Sequence, residues 1–329
     1  MFFSIVIPLY NRPDEVDELL ASLSEQTDMS FEVIIAEDGS INKSGAVVEK
    51  YRDKLSITYF EKPNSGPGTS RNEGAARARY DYLIFFDSDC IIPPNYIENV
   101  SRFLNEHDVD AYGGPDASLP SFTTVQKAIN YAMTSFFTTG GIRGGKRSME
   151  RFHPRSFNLG VTRKAFNDVG GYGTMRFGED IDFSLRLLKK GFHTALIPEA
   201  YVYHKRRSTF RQFFKQVYNS GIARINLHLA HPGSLKAVHA LPALFVTGMA
   251  LIAILSLLLP LLLLIPAAYS IVLFLDSLIK NRSAKVALYS IVAAWVQLCG
   301  YGSGSLSAAW KRLVMKQGTF KAFEKKFYD

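Results

Sequence analysis

Residues 82–90 read Tyr82-Leu83-Ile84-Phe85-Phe86-Asp87-Ser88-Asp89-Cys90. The bulky apolar run predicts a buried strand of a mixed or parallel sheet. Because proline cannot donate to a strand ladder, Pro93 and Pro94 predict that the strand has ended and that both carboxylates lie at its carboxyl end. Ligands of open α/β sheets bind at this edge. Two carboxylates there suit Mg²⁺ or Mn²⁺ shared with substrate phosphates, although the same pair could instead cap the following turn.

The chain before this strand alternates between strand and helix patterns. Strand patterns occupy residues 3–11, 31–36 and 56–60, and helix patterns occupy residues 14–26, 45–52 and 66–79, the last opened by a glycine-rich loop. This alternation predicts a parallel α/β sheet of the nucleotide-binding kind. The glycine-rich loop matches neither the dinucleotide nor the P-loop fingerprint, so the sequence supports neither a nicotinamide enzyme nor an NTPase.

Composition narrows the possible partners. The chain has 329 residues and a formal net charge of +8, and its length predicts about two domains. Lysine and arginine crowd residues 205–207, residues 280–285 and the tail after residue 311. This placement favours an anionic membrane surface or phosphorylated substrates over nucleic acid. Two distant cysteines indicate a reducing compartment, and residues 1–4 lack the charged start of a signal peptide.

Apolar segments dominate the chain after residue 207. Residues 208–235 predict a basic amphipathic helix in the membrane interface, and residues 241–279 predict a hairpin of two spans broken near Pro260 or Pro266. A third segment follows, so that the membrane region covers residues 236–310. A third full span would place the basic tail, residues 311–329, on the outside, against the positive-inside tendency. We therefore favour a re-entrant or interfacial segment broken at residues 300–304, with a full span as the alternative.

Several motifs together resemble the family 2 glycosyltransferases. In chain order they are Ser4-Ile5-Val6-Ile7-Pro8-Leu9-Tyr10-Asn11, Glu37-Asp38-Gly39-Ser40, Gly66-Pro67-Gly68-Thr69-Ser70-Arg71-Asn72, Asp87-Ser88-Asp89, Phe177-Gly178-Glu179-Asp180-Ile181-Asp182 and Tyr203-His204-Lys205-Arg206. The resemblance covers about the first two-thirds of the chain. It implies an inverting, nucleotide-sugar-dependent enzyme with a GT-A fold, a Rossmann-like α/β domain, here followed by α-helical transmembrane segments.

The resemblance assigns donor-binding roles to residues at the strand ends. Pro8 and Tyr10 would pack against the nucleobase, although Tyr10 could instead be an aromatic at the edge of the core. Asp38 would contact uracil or ribose, although Asp-Gly is also an ordinary turn. Glu37 departs from the family pattern, which usually has Asp at this position. Arg71 would contact the base or a phosphate, although it could instead be a solvated arginine. The helix dipole slightly disfavours a cation in the first turn, which favours an anionic partner.

The metal-binding roles fall on the Asp-x-Asp motif. Asp89 would ligate the ion that bridges the diphosphate, and Asp87 would contact the ribose or a water on the metal. His204 would supply a third metal ligand or a phosphate contact. A lone histidine beside a basic run is also often an ordinary surface residue.

Glu179 and Asp180 open an amphipathic helix pattern and carry the predicted chemistry. The resemblance makes Asp180 the base that removes the proton from the acceptor hydroxyl, with Glu179 orienting it or the acceptor. Acidic residues also stabilise helix starts, so capping is an alternative explanation. If the acceptor is already a phosphate, no proton need be removed and Asp180 would position it.

These observations predict a membrane-anchored, metal-dependent, inverting hexosyltransferase in the cytoplasmic membrane. Residues 1–207 would form a cytosolic GT-A domain that uses a nucleotide-sugar donor, with UDP favoured. A mobile loop at residues 136–152 would order when substrate binds. The acceptor would be a lipid-linked saccharide presented at the bilayer during surface polysaccharide synthesis. The alternatives are a polyprenyl-phosphate glycosyltransferase and a non-catalytic, membrane-bound nucleotide-sugar-binding subunit.

Overall fold

The structure is a computed structural model that describes residues 1–117, 119, 121–140, 153–175 and 177–318. The chain forms two compact units. The first comprises Met1–Leu119 with Phe152–Lys205, and the second comprises Pro120–Arg151 with Arg206–Asp329. The boundary after Lys205 lies close to the predicted end of the first domain at residue 207. The helices between residues 124 and 139 belong to the second unit, however, so the first unit is not the continuous stretch that the sequence predicted.

The first unit contains the described strands. They are β1 (Phe3–Leu9), β2 (Phe31–Asp38), β3 (Ile57–Lys62), β4 (Tyr82–Phe86), β5 (Cys90–Ile91), β6 (Ala111–Gly113), β7 (Asp116–Ala117), β8 (Asn158–Thr162), β9 (Thr194–Leu196) and β10 (Val202–His204). The α-helices of both units, in chain order, are α1 (Pro13–Leu23), α2 (Gly45–Glu49), α3 (Pro67–Arg77), α4 (Tyr96–Glu106), α5 (Thr124–Thr134), α6 (Phe136–Thr139), α7 (Arg163–Asp168), α8 (Glu179–Lys189), α9 (Phe210–Ala230), α10 (Ala237–Leu255), α11 (Leu264–Asn281) and α12 (Ala284–Ala309).

The first unit is built around a seven-stranded sheet in the order β3-β2-β1-β4-β8-β6-β9. Successive side chains of β1 point to opposite faces: Ile5 and Ile7 pack with the α1 and α4 residues, whereas Val6 packs with residues of α3, α7 and α8. Both faces of the sheet are therefore covered, which explains why β1, β2 and β4 read as nearly continuous apolar runs. Gly74 of α3 allows the close approach, because a Cβ there would lie 2.4 Å from Cγ1 of Val6.

The sheet is mixed rather than parallel throughout. β8 runs antiparallel to both of its neighbours, β4 and β6, whereas the pairs among β1, β2, β3 and β4 are parallel as predicted. The alternating pattern ends at β4, and β8 is reached only after the chain has passed through the second unit. Local periodicity carries no information about such a long-range pairing, so the sequence did not predict the antiparallel strand.

A small second sheet brings a late segment of the chain to the end of β4. Its order is β5-β10-β7, and β10 pairs antiparallel with β5 so that His204 lies opposite Cys90. β4 ends at Phe86, just before the carboxylates as predicted, and a short second strand that the sequence did not predict, β5, follows Asp89 and ends before Pro93. This pairing places His204 next to the Asp-x-Asp motif.

Helix α12 is the central helix of the second unit. Glycines on it allow close helix contacts: a Cβ at Gly302 would lie 2.2 Å from the Pro242 carbonyl oxygen of α10, and a Cβ at Gly304 would lie 2.1 Å from that of Tyr218 in α9. Ser277 of α11 donates a hydrogen bond to Ser290 of α12 at 2.8 Å. The predicted break at residues 300–304 is wrong, because these residues are helical and serve packing between helices.

Among the described residues of this unit, three segments are long and apolar enough to cross a membrane. They are Ala237–Leu255, Pro260–Asn281 and Ala284–Val314. The hairpin is broken where predicted, since α10 ends at Leu255 and a 3₁₀ turn at Pro260–Leu263 precedes α11. The segment predicted as an interfacial helix is α9, which packs along α12. Most of the predicted mobile loop, from residue 141 on, and the tail from residue 319 lie outside the described residues.

Candidate active site

The predicted donor-binding residues meet at one edge of the large sheet. Pro8 and Tyr10 lie at the end of β1, Asp38 ends β2, and the Asp-x-Asp motif follows β4. Because β1 lies between β2 and β4 in parallel register, the three strand ends are neighbours. The placement of these residues is the one that the sequence predicted, whereas their roles stay predictions.

Asp38 orders the glycine-rich loop. Its carboxylate accepts hydrogen bonds from Nζ of Lys62 at 2.7 Å and from the backbone amides of Ser65 and Gly66 at 2.8 and 2.9 Å. Gly66 has φ +92°, a left-handed conformation that glycine adopts without strain, and it immediately precedes α3. Glu37 is buried and accepts hydrogen bonds from Ser40 and from the backbone amide of Ser44, so its role here is structural.

Arg71 joins the two acidic motifs. It projects from the first turns of α3 and is only 2% exposed. One guanidinium nitrogen lies 2.6 Å from the Asp87 carboxylate, and another lies 3.2 Å from that of Glu179. The guanidinium also lies over the ring of Tyr172, 5.2 Å from its centroid. A buried cation thus offsets the charge of carboxylates that are distant in the sequence.

Glu179 and Asp180 start α8 after Gly178, which has a left-handed φ of +80°. The Glu179 side chain points inward to Arg71, and burial raises the pKa of its carboxyl above the ordinary value, with the neighbouring Asp180 adding to the rise. Asp180 is more exposed, at 17% of its side chain, and one oxygen lies 3.4 Å from a guanidinium nitrogen of Arg155. Asp180 is therefore the more accessible of the two for a substrate.

Asp89 lies among cationic and imidazole groups. Nη1 of Arg12 donates to its Oδ2 at 2.8 Å, and Nε2 of His204 lies 3.1 Å from its Oδ1. The His204 ring stacks on Phe157 with a centroid distance of 4.7 Å. The structure thus brings the predicted ligands Asp89 and His204 together. Asp87 is more exposed, at 32% of its side chain, and its carboxylate contacts Arg71 instead.

The chemistry of this donor set fits a divalent ion. Ligand atoms of Asp89, Cys90 and His204 all lie within 4.8 Å of one another. The 3.1 Å between the Asp89 and His204 atoms matches the roughly 3 Å that separates adjacent ligands of an octahedral ion with bonds of about 2.1 Å. Burial raises the pKa of the Cys90 thiol, which donates to the Phe157 carbonyl, so Cys90 is a poor ligand. Asp89 and His204 are the groups that would hold Mg²⁺ or Mn²⁺.

Sequence reasoning missed the side chains that contact the predicted residues from other segments. They are Arg12 on Asp89, Lys62 on Asp38, Arg155 on Asp180, Phe157 on His204 and Tyr172 under Arg71. Arg12 directly follows the first motif, which was the one available signal. The others carry no local pattern, because their partners are brought to them by the fold.

Comparisons with known proteins agree with this geometry. A family model described as glycosyl transferase family 2 matches residues 4–171. An uncharacterized glycosyltransferase of Haemophilus influenzae is 31% identical over 216 residues, which cover 63% of this chain and 70% of that protein.

Two relatives have named activities. Compared with the Haemophilus influenzae protein, each has either a lower sequence identity or a sequence match over a smaller share of its length. The poly(ribitol-phosphate) beta-N-acetylglucosaminyltransferase TarS of Staphylococcus aureus is 35% identical over 114 residues, 33% of this chain, and the match spans 20% of TarS. The structure of TarS residues 1–349 with UDP-GlcNAc has a TM-score of 0.50 at 19% identity and covers 93% of this chain and 91% of that one. The mannosyltransferase PcManGT of Pyrobaculum calidifontis, solved with GDP-Man and Mn²⁺, has a TM-score of 0.65 at 16% identity and covers 96% of this chain and 88% of that one.

The family model covers just over half of the 329 residues, and the sheet with its flanking helices matches known GT-A glycosyltransferases. The predicted family and fold are therefore confirmed. The chain belongs to glycosyltransferase family 2.

Proposed function

We propose that this protein is a membrane-anchored, metal-dependent, inverting hexosyltransferase that uses a UDP-sugar donor. One observation carries the proposal: Asp87, Arg71 and Glu179 form a connected set of charges at the carboxyl edge of the sheet, with Asp89 and Asp180 adjoining it. Such an edge is the usual ligand-binding place of an open α/β sheet. A fold alone does not imply function, so the assignment depends on these side chains.

The donor side of the site uses residues of β1, β2 and β4. Tyr10 and Pro8 flank the nucleobase, and Asp38 together with the glycine-rich loop contacts uracil or ribose. Asp89 and His204 would hold the divalent ion, and Asp87 would contact the ribose or a water on that ion. A bound ion neutralises the charge that builds on the departing diphosphate. The complexes of TarS with UDP-GlcNAc and of PcManGT with GDP-Man and Mn²⁺ support a nucleotide-sugar donor and a metal.

Asp180 acts as the general base on the acceptor side. It accepts the proton of the acceptor hydroxyl as that oxygen forms a bond to the anomeric carbon. The bond from the anomeric carbon to the phosphate oxygen breaks at the same time, and its electron pair leaves with the nucleoside diphosphate. Attack from the opposite side inverts the configuration. Glu179, anchored by Arg71, orients the first turn of α8.

A nucleotide-binding experiment tests the donor site. We expect detergent-solubilised protein to bind UDP more tightly than GDP or dTDP, and to do so only with Mn²⁺ or Mg²⁺. Asp89→Ala should abolish this metal-dependent binding, whereas Asp81→Ala should not, because the Asp81 side chain is fully exposed. Equal binding with and without metal, or unchanged binding by Asp89→Ala, would contradict the assignment.

Three apolar helical segments support a membrane anchor and an acceptor presented at the bilayer. We propose that α10 and α11 span the cytoplasmic membrane and that α12 lies in the interface. Much of α12 packs against α9 and α5, and α9 carries Lys215 and Arg224 among its buried residues. A helix with buried charged residues, such as α9, is unfavourable inside the bilayer, so α12, which packs against it, is ill suited to span the membrane fully. The catalytic unit and the tail would then both face the cytosol.

Cysteine labelling in intact cells tests this topology. In a Cys299→Ser background, Lys316→Cys should resist a membrane-impermeant maleimide until the cells are opened. Ser256→Cys, in the turn between α10 and α11, is the outward-facing control and should react in intact cells. Labelling of Lys316→Cys from outside would show that α12 spans the membrane.

A phosphate acceptor is a second candidate because Arg155 lies beside Asp180. A guanidinium next to the proposed base would bind the phosphate of a polyprenyl acceptor, and no proton would then be removed. Arg155→Met should raise KM for a polyprenyl phosphate more than for a lipid-linked saccharide. Equal effects on both acceptors would remove this candidate.

A further inference from the structure

Arg12 forms an ion pair with Asp89, the proposed metal ligand, and the proposed metal site does not itself need this ion pair. Its Nη1 lies 2.8 Å from Oδ2 of Asp89 and 3.0 Å from Oε2 of Glu15. The side chains of Arg12 and Asp89 are 18% and 11% exposed, so their pairing is largely shielded from water and salt. The ion pair therefore competes with any other cation for this carboxylate.

The turn that carries Arg12 is held in place. Asn11 has a left-handed φ of +53°, and its Oδ1 accepts hydrogen bonds from the backbone amides of Ile41 and Asn42 at 2.7 and 3.0 Å. Its own backbone amide donates to Ser40. Arg12 thus starts from a fixed backbone position between β1 and α1, facing the end of β4, and the contact with Asp89 is built into the fold.

We infer that Arg12 acts as a counter-cation at the metal site: it stays paired with Asp89 until a nucleoside diphosphate binds. The inference rests on the proposed function. A divalent ion and a guanidinium repel each other when both contact one carboxylate. Arg12 contacts Oδ2, whereas the ion would bind Oδ1 beside His204, so the two cations oppose each other by repulsion across the carboxylate. The metal alone binds fully only when Arg12 has moved away, and its apparent affinity falls by the fraction of time that Arg12 contacts Asp89.

A nucleoside diphosphate resolves this competition. Its phosphates give the released guanidinium a new anionic partner and supply further oxygen ligands to the ion. Metal and nucleotide then each raise the affinity of the site for the other, and the coupling is reciprocal. Arg12 would thereby keep the site free of metal until donor is present.

Mn²⁺ binding to the full chain, measured from the electron paramagnetic resonance of free Mn²⁺, tests the inference. In the wild type we expect UDP to tighten Mn²⁺ binding at least about tenfold. Arg12→Met should bind Mn²⁺ without nucleotide about tenfold more tightly than the wild type does, which corresponds to Arg12 holding Asp89 about nine-tenths of the time. The enhancement by UDP should shrink accordingly. Arg52→Met, which removes the same charge from an exposed position paired with Glu49, should behave as the wild type.

Glu15→Gln provides a second variant with the opposite expectation. Glu15→Gln removes a carboxylate that competes with Asp89 for Arg12, so Arg12 should stay longer on Asp89, Mn²⁺ alone should bind more weakly and the enhancement by UDP should grow. Equal Mn²⁺ affinities of wild type and Arg12→Met without nucleotide would overturn the inference while leaving the proposed function intact. An unchanged ratio of affinities with and without UDP would show a general charge effect and would also overturn it. Absence of Mn²⁺ binding with UDP in every variant would overturn both proposals.

Discussion

The charged edge of the sheet and the glycine-bearing face of α12 are held together by different interactions. At the sheet edge, side chains from the turn between β1 and α1, from α3, from the segment after β4, from α8 and from β10 meet through ion pairs, and each carboxylate has a cation or an imidazole near it. On α12, Gly302 and Gly304 have no side chains at all, and the backbones of α10 and α9 fill the space. The first region depends on charge placed by distant segments. The second depends on the absence of atoms, so the two should respond differently to substitution.

The largest effect should come from the charged edge. Asp180→Asn removes the proposed base without removing the donor contacts, so kcat should fall by about 10³-fold while UDP affinity is kept. Steady-state transfer and nucleotide titration measure the two quantities separately. Asp81→Asn serves as the matched control at an exposed position. Undiminished transfer by Asp180→Asn would show that the proton goes elsewhere or that the acceptor is a phosphate.

A substitution on α12 should affect stability instead. Gly304→Ala places a Cβ 2.1 Å from the Tyr218 carbonyl oxygen, so α9 and α12 must separate, at a cost of about 1–3 kcal/mol. Tm in detergent should fall by several degrees, with UDP affinity unchanged. The control is Gly248→Ala on α10, where a Cβ meets nothing within 4 Å. Equal Tm values of the two variants would show that the close packing is not needed.

The smallest effect concerns the pH dependence of stability. Because the pKa of Glu179 is raised in the folded state, the folded protein keeps this proton to higher pH than the unfolded chain does. The free energy of unfolding therefore falls as pH rises above the ordinary value of 4.5 towards the raised pKa. The Glu179→Gln side chain has no proton to lose, so the stability of this variant relative to the wild type should rise with pH. The rise should be about 1 kcal/mol for each unit by which the pKa of Glu179 in the folded state exceeds its ordinary value.

Thermal unfolding at pH 5 and pH 8 measures this difference. The constant cost of the altered Arg71 contact cancels when each variant is compared with itself at the two pH values. A stability difference that does not change with pH would show that Glu179 is ionised throughout this range.

The structures of residues 82–90 and of the start of α8 could be predicted because the sequence signals for them are local. An apolar run predicts a strand, prolines end it, and acidic residues start a helix, so the positions of Asp87, Asp89 and Asp180 followed from neighbours in the chain. Family resemblance then supplied their roles. The antiparallel strand β8 left no such signal, because its pairing with β4 joins segments that are far apart in sequence.

The glycines of α12 show the limit most clearly. Residues 300–304 predict a break by local propensity, since glycine weakens an isolated helix. In the folded unit the same glycines lie inside a continuous helix, because close contact with α9 and α10 outweighs that cost.

Local propensity and motif order thus determined the parallel half of the sheet, the apolar C-terminal segments and the carboxylates of the site. Tertiary contacts determined what those carboxylates face: Arg12 on Asp89, Arg71 between Asp87 and Glu179, and Arg155 on Asp180. The physical reason is range. Backbone propensity, helix capping and turn chemistry act between neighbours in the chain, whereas strand pairing, charge pairing and close packing act between neighbours in space.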